Sequence, residues 1–460
     1  MVLPAGYDIG VAIATSGLTE TLMARLRLGQ IDPNADGAID PETGTLGTLG
    51  YRIFRIEWLP AADRGPAECW LSLHSDPQGD DLSILDIGLT LTLTTDAAGS
   101  TSLGVVFREA LTTTGPMQRA EIGSVVDLIE GTPLLDVTTM MTSIATALGV
   151  TLTPTTAFST GLLAGDGTTA EPAIGVLASE AGISTWAAAP VSWIHPRRHV
   201  AVAFGGPFIE TTVVPAAIAA AFGPLPATVQ PSITLHSLAI ASEPDQLRLS
   251  GSAAHSADPG VGTVLFGGPL RPWYSQVGRS LVVNTSDIDA AMPISWLLVL
   301  LGPVGVFLAA WIDTAIDTAV RSAVRGALAG LLGDLDPSAL APGGDATVRV
   351  VTRWASIEGG SLVLGLSLHA GPKTARIVAT SGRRRLRLVQ LDDDDVLSVA
   401  DTVDLIDAGV LDVADVHVVR SATTGRAWLR ADRDNSEGNN LRSLPAVDTS
   451  LIPPVERAPS

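Results

Sequence analysis

Residues 32–43, D-P-N-A-D-G-A-I-D-P-E-T, carry oxygen donors in the order of a calcium loop. Asp32, Asn34 and Asp36 fall at positions 1, 3 and 5, Gly37 at the turn, Ile39 at 8 and Asp40 at 9. Position 12 should be a bidentate glutamate and is Thr43; Glu42 comes one residue early. Four side chains and the Ala38 carbonyl could ligate calcium, whereas a solvated Asp/Asn/Gly/Pro turn explains the same residues without an ion and is the preferred reading. His195 and His199 stand four apart in H-P-R-R-H, but Pro196 opposes a helix and no glutamate follows His195, so a zincin-type metal pair is not expected. Asp432, Asp434, Asn435, Glu437 and Asn439 read as a polar turn rather than a cation site.

Covalent chemistry has even less support. The chain has no G-x-S-x-G elbow, and its seven histidines are scattered. Lys373 is the only lysine and follows Pro372, so it cannot serve a phosphate-binding loop. Cys69 is the only cysteine, which excludes an internal disulfide and a cysteine-based zinc site. The expectation is a non-enzymatic protein with no cofactor, calcium being the one ion its residues suggest.

Composition narrows the partners. Lys and Arg number 28 against 48 Asp and Glu, a formal charge of -20, so nucleic-acid binding is not expected. Charge alone also makes such a chain a poor binder of anionic membranes, so any lipid contact should be apolar. Membrane contact is allowed but integral insertion is not the expectation. The apolar fraction is 46% while aromatics are only 4%, so the core should be built from Ala, Val, Leu and Ile. The 460 residues suggest two to four domains. Residues after Met1 lack a basic start, and Asp8 and Glu20 break the apolar run; the expected location is the cytoplasm, or export without a cleaved signal.

The elements that must position these residues follow from periodicity. A strand at 8–14 precedes a helix from Thr15 to about Gly29, with Leu18, Leu22 and Leu26 on one stripe. Alternating strands are expected at 51–59, 69–74, 82–95 and 102–108. A helical region spans 122–148, interrupted at 131–133, and short strands follow near Phe158 and at 174–178. The order then restarts: strand 199–204, apolar helix 208–222 closing at Gly223, strands 232–241, 246–254 and 280–284, a long helical region 294–335, and strands 347–355 and 361–369. The repeated order predicts a duplication.

Residues 294–312 are nineteen uncharged residues, just enough for a membrane span. Gly302-Pro303 interrupts them, and Asp313, Asp317, Arg321 and Arg325 follow at intervals of four, with Asp317 and Arg321 in the favourable order. A core helix that emerges at one end is the favoured reading, membrane insertion the other. Beyond about residue 375, the basic run Arg383–Arg385 with Arg387 and the acidic run Asp392–Asp395 are expected to neutralise each other on a solvated surface. A helix at 399–406 and strands at 413–420 and 427–430 complete a small α+β module.

Strand, amphipathic helix, long alternating strands and a long apolar helix, repeated twice, resemble the tubular lipid-binding (TULIP) superfamily over about residues 5–372. The opening Y-D-I-G-V-A-I-A-T-S-G-L-T-E-T-L-M and the later L-L-G-P-V-G-V-F-L-A-A-W-I-D-T-A-I-D-T-A-V look like its bacterial OrfX-type branch. The resemblance implies an α+β, duplicated TULIP-type fold in which curved antiparallel sheets wrap long apolar helices. The repeated order gives a first half at 1–187 and a second at 188–374; the residues beyond them are read as a small C-terminal module at 375–450 and, with Pro453, Pro454 and Pro459, a disordered tail at 451–460. The resemblance also implies a lipid or fatty-acid-like ligand touching Leu18, Leu22, Leu26, Ile218, Ala219, Phe222, Ile312 and Ile316. The alternative is an assembly or toxin-accessory protein with filled tubes, whose C-terminal module docks a protein partner. Residues 418–445, ending N-N-L-R-S-L-P, resemble a small uncharacterised bacterial domain family that brings no known chemistry.

Overall fold

Strand β1 (Ile9–Ala14) is buried at every position, so both faces of the sheet it belongs to must be covered. In the computed structural model, residues 3–27, 43–46, 49–61, 64–75, 82–112, 115–117, 130, 133–153, 155–165, 170–183, 186, 191–194, 198–257, 263–277, 279–291, 303–329, 348–381, 386–393, 395–421, 423–424, 426–431, 441 and 444–447 are described. β1 pairs on one side with β10 (Ala173–Ser179), which pairs with β9 (Ala157–Leu163). On its other side it pairs with β11 (Val200–Phe204), followed by β19 (Ser361–Ala370) and β18 (Val348–Glu358). This six-stranded sheet is antiparallel throughout. Alternation assigns its faces: Ile9, Val11, Ile13, Val202 and Phe204 join the main core, while Ala12, Ala14, Ala201 and Ala203 pack under Tyr7, Trp193 and Ile194.

Between β1 and β9 run helix α1 (Thr15–Arg27) and strands β2 (Thr43–Leu46), β3 (Leu49–Pro60), β4 (Glu68–Ser75), β5 (Leu82–Thr95), β6 (Thr101–Thr112) and β7 (Gly115–Met117), paired in that order as one antiparallel sheet. The expected helical region at 122–148 begins its described helix only at α2 (Val137–Ala147). Leu135–Asp136 is instead a two-residue strand, β8, on β6, because Asp136 serves as N-cap and accepts the Thr139 N–H at 2.9 Å.

Between β11 and β18, a helical turn (Gly206–Phe208) and a π-helical turn (Ile209–Val213) lead into α3 (Val214–Phe222). Strands β12 (Ala227–Gln230), β13 (Ile233–Glu243), β14 (Gln246–His255), β15 (Val264–Ser275) and β16 (Ser280–Asn284) pair in order, and β17 (Asp289–Ala291) also pairs with β15. Helix α4 (Pro303–Ala329) follows. The expected strands include none at 264–275, where V-L-F-G-G-P-L-R-P-W-Y-S carries two prolines and a Gly-Gly pair. β15 forms because it crosses between neighbours: β14 pairs with its first half and β16 with its second. Each proline therefore has a described strand on one side only, leaving the other for the missing N–H.

The C-terminal part comprises β20 (Lys373–Ala375), β21 (Ile377–Ser381), β22 (Leu388–Leu391), β23 (Val396–Ser398), helix α5 (Val399–Asp407), β24 (Leu411–Val413), β25 (Val416–Arg420) and β26 (Ala427–Ala431). The single strand expected at 413–420 is two, separated by Asp415 in the left-handed region at φ 61°. Buried side chains here form a cluster of their own, which also takes in Val351 of β18. The main cluster runs from Ile9 to Ala370 and draws on both earlier sets of strands. Among the described residues, no helix is long and apolar enough to cross a membrane.

Candidate functional site

Helix α3 has the sequence V-P-A-A-I-A-A-A-F, with Pro215 in its first turn and Gly223 at φ 71° after its last, where the Gly223 N–H reaches the Ala219 carbonyl at 2.9 Å. Val214 and Ala217 are buried, and Ile218 and Phe222, four apart, are half-buried against the main core. Ala219, Ala220 and Ala221 face solvent.

Helix α4 packs beside α3, and both rest on β12. Ile312, Ile316, Ala319, Val320 and Val324 form its inward stripe, with Ile312 and Ile316 at 0% exposure. The other side bears Arg321, whose Nε donates to Asp317 Oδ1 at 2.9 Å and whose guanidinium also reaches the Ile288 carbonyl at 2.5 Å. Arg325 reaches Thr285 Oγ1 at 3.2 Å, so two arginines fix α4 to the turn before β17. Burial holds Asp317 above the usual carboxylate range despite Arg321.

α3, β12 and α4 touch one another, and Ile218, Phe222, Leu225, Val229, Ala309 and Ala315, carried on these elements and the turn before β12, are half-buried against the main core. This half-exposed apolar seam is the candidate site. Trp311, 49% exposed, lies edge-on to His255 with ring centroids 5.0 Å apart. His255 Nδ1 accepts the Ala257 N–H at 3.0 Å, which places the neutral ring's proton on Nε2. The six residues of the seam can desolvate a chain-like apolar group. The apolar spacing of 214–222 predicts the helix; Trp311, expected to be buried if 294–312 lies inside a tube, is instead half-exposed.

The other sequence-derived residues divide. Leu18 is buried where α1 packs on β3, fixed by the Thr19 hydroxyl donating to the Ile56 carbonyl at 2.8 Å. The side chains of Leu22 and Leu26 lie outside the described residues, as do Asp32, Asn34, Asp36 and Asp40, His195, Arg383–Arg385 and residues 432–440. His199 Nδ1 lies 3.0 Å from the carbonyl oxygen and 3.1 Å from the backbone nitrogen of Leu368, tying the start of β11 to β19. No group of three or more His, Cys, Asp or Glu converges as a metal site among the described residues. Cys69 is buried and its thiol is pushed up to about 12, by burial and then by Glu68, so it stays protonated and inert at neutral pH.

The acidic run does not behave as a purely solvated surface. Asp395 and the Val396 carbonyl receive the guanidinium of Arg353, which is fully buried on β18, and Arg353 Nε donates to Ser367 Oγ at 3.0 Å. Asp393 pairs with Lys373. Arg279 reaches Asp401 Oδ1 at 2.5 Å and Asp404 Oδ2 at 2.7 Å on α5; burial lowers its pKa, but the two carboxylates outweigh that and raise it. The C-terminal module is thus bound to the strands before it by two arginines. Sequence reasoning missed Arg353, because a register shift between Thr352 and Trp354 breaks the alternation there.

Residues 374–445 match the family described as a protein of unknown function (DUF3892), consistent with the small uncharacterised family expected at this end. No curated protein matches the chain. Among solved structures, the chain is similar to P47 of Clostridium botulinum E1 at 8% identity and a TM-score of 0.42, covering 79% of this chain and 99% of that one. It is also similar to a lipopolysaccharide binding protein at 11% identity and a TM-score of 0.29, covering 80% of this chain and 100% of the other.

Proposed function

We propose that this chain is a duplicated, TULIP-type protein that binds a lipid or another apolar ligand along the seam between α3 and α4, making and breaking no bond. The observation that carries the reading is the half-exposed apolar surface of Ile218, Phe222, Leu225 and Val229 on α3, β12 and the turn between them, next to α4. Burying one CH₂ contributes about 0.8 kcal/mol, so several methylenes along the seam would hold an acyl chain without a polar anchor. The strand order favours duplication: β9, β10 and β1 on one side of the central sheet match β18, β19 and β11 on the other. The halves divide near residue 187 and the module begins near 375. The reading requires no cofactor.

A second reading has its own support. Ile312, Ile316, Met140, Met141 and Ile144 are all at 0% exposure, so the interior at these positions is filled by side chains. A filled interior suits a structural or assembly protein, with the C-terminal module as a surface for a protein partner. Organic extraction of purified protein, followed by mass spectrometry, separates the two. The first reading expects lipid near one or two molecules per chain; absence of lipid, together with no uptake of a fluorescent fatty acid, favours the second.

A further inference from the structure

Strands β25 and β26 form a two-stranded hairpin whose two faces differ in kind. The pairs Val416–Ala431, Val418–Leu429 and Arg420–Ala427 share one face, and Val416, Val418, Ala427 and Leu429 of that face pack into the module's core. The opposite face carries His417 beside Arg430 and Val419 beside Trp428, with Arg426 at the end next to the turn. Along β26 this face reads Arg426, Trp428, Arg430, at the period of two that places alternate side chains together. Both arginines are exposed, and Trp428 is 42% exposed. Neither arginine has an ion-pair partner among the described residues, whereas Arg420, on the other face, pairs with Asp407.

We propose that this outer face docks on an anionic lipid bilayer. An indole between two guanidinium groups is the composition of a headgroup layer contact: the ring sits at the interface and the cations meet phosphate and carboxylate groups. Charge complementarity is local. Screening limits each charge to about 8 Å at physiological salt, so the hairpin responds to an anionic surface despite the net -20 of the chain. The same net charge repels the rest of the molecule from that surface, leaving the hairpin to set the orientation. The face sets a half-exposed aromatic ring between two exposed cations, a pattern that suits the interface of a bilayer better than an extended acidic peptide. The proposal does not depend on the seam between α3 and α4: docking is read from binding to vesicles, and seam occupancy from extracted ligand.

Co-sedimentation of the full chain with phosphatidylcholine vesicles, with and without about 30% phosphatidylserine, tests it. Binding should be at least about tenfold tighter to the anionic vesicles at physiological salt and should weaken as salt rises above it. Arg426→Glu with Arg430→Glu should abolish that difference, and the neutral pair Arg426→Gln with Arg430→Gln should halve it or more. Trp428→Ala should weaken binding while leaving the salt dependence in place. These positions are exposed, and an unchanged circular dichroism spectrum shows that each variant folds. Equal binding to both vesicles, or retention of anionic binding in both arginine pairs, would overturn the proposal. Displacement by a glutamate-rich peptide at matched charge concentration would overturn it in favour of an acidic protein partner.

Discussion

Arg353 on β18 and Asp395 before β23 form an ion pair that joins the last strands of the central sheet to the C-terminal module, with the Arg353 side chain only 1% exposed. The same guanidinium donates to Ser367 Oγ and the Val396 carbonyl, and Gln276 Nε2 donates to the Arg353 carbonyl at 3.2 Å. A buried cation held by a carboxylate, a hydroxyl and a carbonyl makes the joint intolerant of partial loss.

Asp395→Asn should therefore destabilise the chain by about 3 kcal/mol, because breaking one partner of a buried pair leaves the other charge uncompensated. Arg353→Met combined with Asp395→Asn should recover part of that loss, since no stranded cation remains. Urea unfolding of the three proteins, read as midpoints at constant slope, checks both. A double variant no more stable than Asp395→Asn would show that the pair's worth lies elsewhere than in charge compensation.

Acid should loosen the same joint. His369 is held well below its ordinary 6.5, by burial first and then by Arg353, His199 and Lys373, while Asp395 lies 3.5 Å from its Nε2. The folded state resists the proton that the unfolded chain accepts, so stability is full above about pH 6.5 and falls as pH drops below it. The alkaline side works in reverse. Tyr274 and Cys69 are both pushed up to about 12, chiefly by burial, so they keep protons that the unfolded chain loses above about 9 to 10, and stability falls as pH rises past that range. Thermal midpoints from pH 5 to 11 should form a plateau with both shoulders, and His369→Gln should flatten the acid one.

Much of this was legible in the sequence. The strand from Leu82 to Thr95, the helix ending at Phe222 before Gly223 and the Asp317–Arg321 pair follow from alternation, a left-handed stop and i,i+4 spacing. β15 was not, since Pro269 and Pro272 oppose a strand unless the neighbour on one side changes partway along. Arg353 was not, because its burial depends on a bulge and on residues 42 and 43 positions away. The face carrying Trp428 required knowing that Leu429 points inward.

Residues on α3 and α4 should divide by depth. Ile316→Ala should cost about 2–5 kcal/mol, because a fully buried isoleucine leaves a cavity its neighbours only partly fill. Ala219→Ser, on the solvent side of α3, should stay within about 0.5 kcal/mol. Thermal unfolding of both variants checks the contrast. A large loss at Ala219 would place that residue against a packed surface instead.

The seam itself can be tested at residues whose change leaves the core intact. Ile218 and Phe222 are half-buried, so Ile218→Gln with Phe222→Gln removes apolar surface without stranding a fully buried polar group. If an acyl chain lies there, each methylene that loses its apolar partner costs the ligand up to about 0.8 kcal/mol, and three or four of them lower its affinity by about a hundredfold. Lipid recovered by extraction should then fall well below that of the parent, while the thermal midpoint moves only a few degrees. Trp311 supplies an independent readout at α4. Its emission, taken as the difference between the parent and Trp311→Phe, should shift to shorter wavelength when a fatty acid is added and stay unchanged in the double glutamine variant. A shift of equal size in both proteins would mean that the ligand enters elsewhere, and no shift in either, with no extracted lipid, would leave the filled, assembly-type interior as the account of these residues.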